Sequence, residues 1–474
     1  MPPGTVSRRV PAPALATRVA TRLRVPAVLV AAVVPVGGLL LGSLLLVSPA
    51  AGAQRVAPTT GSATARPGVN PATDALEEQA AARVTAAVCS KRVVLLGELP
   101  EHGHARGFGV KARIVERLVA RCGFRAVLFE AGSYDFFGLE RALAATQQAP
   151  GGPAGAAAGA PAGGARTDSL ELALARAIGG LWWTRELAEW RRWLVHEAAA
   201  GRVAIGGIDD QPSATAVFAR ATLPGLVGAA MPPARAAECQ EAVARYLSYT
   251  YTATLPYDST ERARLADCTR LAADRAPAER TSTTRTAVRR TPDEVMLDNL
   301  ASYFARERGT AERGAAGTPD RDLVMAQNLA WWSARLPRDA KIVVWTATTH
   351  AARAPDALSV RPLEVPPLGE LLAERWGDRL AVIGFTALQG QWSRAGRPSQ
   401  PLAPLAPNAL EARALAAAAG DATGWAYLDR AALRSLGSVP SRLFGKVTTN
   451  DWSTAFDGVL VIRDEAAPTP EPRR

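Results

Sequence analysis

Histidine is scarce in this chain, with four in 474 residues. Cysteine is equally scarce, and no Cys-x-x-Cys pair occurs, which argues against a zinc ribbon or a thioredoxin-like centre. No Gly-x-Ser-x-Gly elbow is present, so a serine nucleophile has no motif behind it. No His-Glu-x-x-His occurs either, so the compact zinc-protease signature is missing. Residues 1–53 contain no acid but carry Arg8, Arg9, Arg18, Arg22 and Arg24. Those five account for much of the formal charge of +11. The remainder, roughly +6, is spread without a basic run, so no nucleic-acid partner is expected.

What is present begins with a leader. A positive stretch precedes an apolar run over 25–47, and "SPAAGAQ" places small residues at Ala51 and Ala53 before Gln54. Residues 1–53 therefore read as a signal peptide cut before Gln54, and the protein as exported. An uncleaved anchor is the alternative, because roughly 20 apolar residues span a bilayer. Pro26 and Pro35 count against it. A membrane partner is expected only in that case. The even cysteine count suits an oxidising compartment. Cys89 and Cys122 precede successive predicted strands, and Cys239 and Cys268 lie in consecutive helical stretches. The expected bonds are Cys89–Cys122 and Cys239–Cys268.

Residues 54–70 read as a disordered linker, 148–166 as a low-complexity loop, and 465–474 as a disordered tail. Between them, 71–464 read as one α/β domain. Continuous apolar runs at 93–96, 126–129, 203–208, 342–345, 380–385 and 459–462 suit strands buried on both faces. Helical periodicities separate them, with Gly123 closing the helix that ends at Cys122. The expected fold is α/β: a largely parallel or mixed sheet flanked by helices, with a helical insertion at about 235–320.

The chemistry gathers at strand ends, where open α/β sheets bind ligands. Glu98 and His102 follow the first run, Glu130 ends the second, Asp209 and Asp210 end the third, and His350 follows the fourth. Two of the four histidines fall in "GELPEHGH". Such a set suits water activation: an imidazole takes a proton near neutral pH, and a carboxylate orients it. No cofactor is required by this reading. His102, His104, His350 and a carboxylate leave a divalent metal open as an alternative. His196 reads as a helix-surface residue. Trp182 and Trp183 read as core, or as the wall of an apolar cleft.

"LLGELPEHGHARGFGVKARIVERLVARCGFRAVLFEA", "WWTRELAEWRRWL", "IGGIDDQ", "RDLVMAQNLAWW" and "KIVVWTATTHAAR" together resemble the erythromycin esterase family, in order and over about 93–462. Characterised members hydrolyse the lactone ester of macrolide antibiotics. The resemblance implies a small-molecule ester or lactone substrate. It makes His102 the general base and Glu98 and Glu130 its helpers. It also implies that His350 is a second site histidine, that Lys111 faces the site, and that Arg321 and Asp322 support it. Two departures stand out. Glu98 and His102 are four steps apart where the family has three, and Ala347 occupies the place of a family histidine. The alternatives are a haem or other ligand-binding protein on a related scaffold, and an inactive homologue.

Overall fold

In the computed structural model the described residues are 71–148, 163–213, 216–275, 290–311, 320–353, 366–394, 397–418 and 424–471. The expected leader and linker, and most of the low-complexity loop, lie outside them. Among the described residues, no helix is long and apolar enough to cross a membrane.

The strands are β1 (Val93–Glu98), β2 (Phe124–Gly132), β3 (Ala204–Asp209), β4 (Lys341–Ala347), β5 (Leu380–Trp392), β6 (Gln400–Pro401), β7 (Trp425–Asp429), β8 (Ser438–Ser441), β9 (Thr448–Asp451) and β10 (Gly458–Glu465). The main sheet has the order β3-β2-β4-β1-β5-β10-β7. All neighbours are parallel as far as β10; β7 closes the edge antiparallel. The short β6 pairs with the far end of β5, and β8 with β9 forms a separate hairpin.

Helices cover both faces of the sheet, so the central strands read as unbroken apolar runs. Val93 and Leu95 join the core on one side, and Val94 and Leu96 join the core on the other. Each such side chain contributes roughly 1.5–3 kcal/mol of burial. Small residues let layers approach. A Cβ on Gly206 of β3 would overlap the ring of Trp332, whose indole N–H donates to Gly207 O at 3.2 Å.

Both disulfides join the expected cysteines, with Cα separations of 5.2 Å for Cys89–Cys122 and 5.5 Å for Cys239–Cys268. The reason for the first differs from the sequence argument. β1 and β2 are not neighbours, because β4 lies between them. The bond instead ties the ends of the Pro71–Val88 and Ala105–Cys122 helices, which pack together. Lys341, at the start of β4, donates to Cys89 O at 2.7 Å and Cys122 O at 2.9 Å.

Helices Pro233–Ser248, Ser259–Arg275 and Pro292–Ala311 fall in the span of the expected insertion. The expected tail differs. Glu465 ends β10, and the following residues to Glu471 run beside 183–186, held by backbone hydrogen bonds. A helix, Gly163–Ala177, also begins inside the end of the expected loop.

Candidate active site

β1, β4, β2 and β3 are consecutive in the sheet, so their carboxyl ends converge. Above them lies a cavity of about 460 Å³, lined by His102, Glu130, Asp209, Arg321, His350 and Arg394 among others.

The first half of the site is built on Glu98. Its carboxylate is buried and saturated by four donors. Oε1 accepts from His102 Nδ1 at 2.7 Å and Trp182 Nε1 at 2.8 Å. Oε2 accepts from Lys111 Nζ at 2.7 Å and Trp345 Nε1 at 2.8 Å. Burial pushes this carboxyl up, but the Lys111 charge and the His102 bond outweigh it and hold the group at about 2. Lys111 is 0% exposed and lies 4.2 Å above the Trp345 ring. Burial pulls its ammonium down to about 8 against the upward pull of Glu98. The expected placement of Lys111 on the site is therefore corrected. It does not line the cavity but holds the inner oxygen of Glu98.

The extra residue between Glu98 and His102 is absorbed by a turn. His102 N–H donates to Leu99 O at 3.0 Å, Pro100 sits inside the turn, and His102 takes φ 53°. Left-handed backbone at a non-glycine residue is strained, and such strain clusters at functional positions. It brings the His102 ring back onto Glu98. With Nδ1 occupied, Nε2 is the nitrogen available to the cavity that the ring lines.

The second half is built on Glu130 and His350. Glu130 Oε2 accepts from Thr346 Oγ1 and Ala347 N, both at 2.7 Å, which fixes it to the end of β4. Its Oε1 faces His350 Nε2 at 3.2 Å and Arg321 Nη2 at 3.3 Å. His350 Nδ1 faces both oxygens of Asp322, at 2.9 and 3.0 Å. Burial pulls the imidazolium down, but Glu130 and Asp322 outweigh it and push His350 up to about 10. Both ring nitrogens thus face a carboxylate, which favours the doubly protonated ring. Arg321 Nη1 lies 3.1 Å from the same Nε2. Between two cations that contact is not a hydrogen bond; Glu130 Oε1 bridges them. Asp209 holds Arg321 from the other side, at 3.1 Å to Nε and 2.6 Å to Nη2. Burial pushes Glu130 up, and the opposing charge of His350 more than reverses this, leaving it well below the carboxylate range.

His104 is corrected too. It is buried off the cavity, stacked on Trp392, and 3.8 Å from Glu101 Oε2. It precedes the Ala105–Cys122 helix without capping it; Glu465 does that, accepting from Arg106 N at 2.7 Å and Gly107 N at 3.3 Å. Gly103 must be small, because a Cβ there would drive into the Ser393 carbonyl. His196 is exposed, as read from its helix. Trp182 and Trp345 are the contributors that pattern reading misses. Both look like core tryptophans, and only the fold turns their N–H groups onto Glu98. Among the described residues, no group of three or more His, Cys, Asp or Glu side chains is placed to hold a metal ion.

A mostly parallel sheet thus carries two histidine–carboxylate sets over one cavity. The erythromycin esterase family model matches residues 119–464, and the chain belongs to that family. The match begins after the Glu98–His102 loop. Three solved structures share the fold, each at 15% identity. A Bacillus cereus protein gives a TM-score of 0.56 over 84% of this chain and 99% of its own. A succinoglycan biosynthesis protein gives 0.54 over 82% and 92%. A histidine-to-asparagine variant of the erythromycin esterase EreC, in its open conformation, gives 0.53 over 83% and 95%. No curated protein matches the chain.

Proposed function

We propose that the protein is an exported hydrolase that cleaves an ester or lactone with water as nucleophile. The observation that carries this reading is the His102–Glu98 pair: a histidine with one nitrogen fixed and the other available in a cavity shared with Arg321, His350 and Arg394. His102 Nε2 removes a proton from water as the water oxygen bonds to the acyl carbon. The carbonyl π electrons move to oxygen, where Arg321 and the His350 imidazolium stabilise the charge. Collapse breaks the acyl C–O bond, and the proton on His102 passes to the departing alkoxide. Glu98 keeps the tautomer and stabilises the transient imidazolium, and Glu130 and Asp322 keep His350 charged. The family name makes macrolide lactones the first substrates to test. The two disulfides fit an oxidising compartment, and the leader supplies the route.

The test is a hydrolysis screen over macrolides, simple lactones and acyl esters, with and without chelator. The expected result is turnover of at least one class, with kcat/KM for His102→Ala down by about 10²–10⁴. Turnover unchanged in His102→Ala sinks the mechanism; no turnover of any class sinks the reading.

A further inference from the structure

Three of the four donors on Glu98 stand on rigid elements: His102 in its turn, Lys111 on a helix, Trp345 on β4. The fourth does not. Trp182 sits in the connection between the Gly163–Ala177 helix and the short turn Arg185–Leu187. The same connection builds one wall of the cavity through Ile178, Gly179, Gly180 and Leu181. Its anchors come from outside.

The Trp182 ring packs against His102, Phe129 and Trp345, and the backbone around it is held by Arg191 and the end of the chain. Arg191 is 1% exposed and donates to Thr184 O at 3.0 Å and Trp182 O at 3.4 Å. Its other amino group pairs with Glu471. Backbone bonds run alongside: Arg185 N to Thr469 O at 2.9 Å, and Glu471 N to Trp183 O at 3.4 Å. Thr469 N donates to Glu186 Oε1 at 2.9 Å. The strap starts where Glu465 caps the helix that follows His104, and Ala466 O accepts from Ala105 N at 2.9 Å. Seven residues therefore link the element after the His102 turn to the element that carries Trp182. Glu171 Oε1 lies 3.9 Å from the same Arg191 amino group, so Glu471 is the nearer of two counter-charges; a buried guanidinium that loses its nearer partner is held less firmly in place.

We propose that the C-terminal strap is part of the site: through the Glu471–Arg191 pair it sets the Trp182 indole on Glu98 and holds the cavity wall. Arg191 and Glu471 are positioning residues, acting on His102 through Trp182 and Glu98. The catalytic consequence rests on the hydrolase reading; the placement of Trp182 does not.

The experiment compares the full chain with Glu471→Gln and with a chain ending at Ala467. The indole N–H of Trp182 is followed by ¹H–¹⁵N spectra and hydrogen exchange, assigned by its loss in Trp182→Phe. The indole of Trp345, on the other oxygen of Glu98, is the internal reference. In both variants the Trp182 signal is expected to move toward that of a water-exposed indole and to exchange about tenfold faster or more, while Trp345 stays put. On any hydrolysed substrate, kcat falls and KM rises when each variant is assayed well below its own melting temperature. An unmoved Trp182 signal in a folded variant overturns the proposal. So does a moved signal with unchanged kcat and KM. If the truncated chain does not fold, Glu471→Gln decides alone. If no chain hydrolyses anything, the hydrolase reading fails and the indole signals still decide the strap.

Discussion

Glu98 accepts from four buried donors, one of them the Lys111 ammonium, so its replacement has a definite signature. Glu98→Gln leaves Lys111 as a buried cation without its partner, and breaking such a pair costs about 3–5 kcal/mol. Replacing both, as Glu98→Gln with Lys111→Met, removes the uncompensated charge. The double variant is expected to melt nearer the parent than the single one does, by thermal unfolding at pH 7. A double variant as unstable as Glu98→Gln would show that Lys111 is not the source of the loss. His350 gives a pH signature. Its folded value of about 10 lies above the ordinary 6.5. The stability it contributes is full below pH 6.5 and is lost as pH rises through 10. Melting curves of the parent and His350→Gln should therefore converge between pH 7 and 10. For Glu98 the sign is reversed: its stabilisation is full above 4.5 and is lost as pH falls through 2.

At the scale of elements, the Cys89–Cys122 bond closes a separation of 33 residues between two helix ends. Chain-entropy reasoning assigns such a loop about 3–4 kcal/mol. Lys341 still grips both carbonyls without it. Cys89→Ala with Cys122→Ala should fold at 25 °C with a melting point lowered by several degrees; reductant should lower that of the parent further, because it also opens Cys239–Cys268. Much at this scale was legible beforehand. Six apolar runs mark β1 to β5 and β10, because strands covered on both faces have no polar phase to hide in. β7 was not legible: "WAYLD" is a short edge strand, half exposed and of mixed character. The order of strands was not legible either, and β4 inserts between two strands that are consecutive in the chain. For the site, strand-end position brought Glu98, His102, Glu130, Asp209 and His350 onto one list. Trp182, Trp345 and Glu465 escaped, because hydrogen bonds that span 84, 247 and 359 residues leave no local pattern.

For the whole molecule, the place of β4 is decisive. It pairs with β1 on one side and β2 on the other, and no strand pairing joins β1 to β2 without it. A fragment ending at Ala311 is expected to lack a cooperative melting transition by circular dichroism, although it contains three strands and most of the helices. The same geometry sets a timetable. During synthesis, β1 is complete roughly 240 residues before β4 emerges, on the order of ten to fifty seconds at ordinary elongation rates. Over that interval the edges of β1 and β2 that face the future β4 are open rows of amide donors and acceptors, able to pair with other chains. The strand that joins β1 to β2 is thus also the one for which a nascent chain must wait, guarded by whatever holds unfinished polypeptides apart.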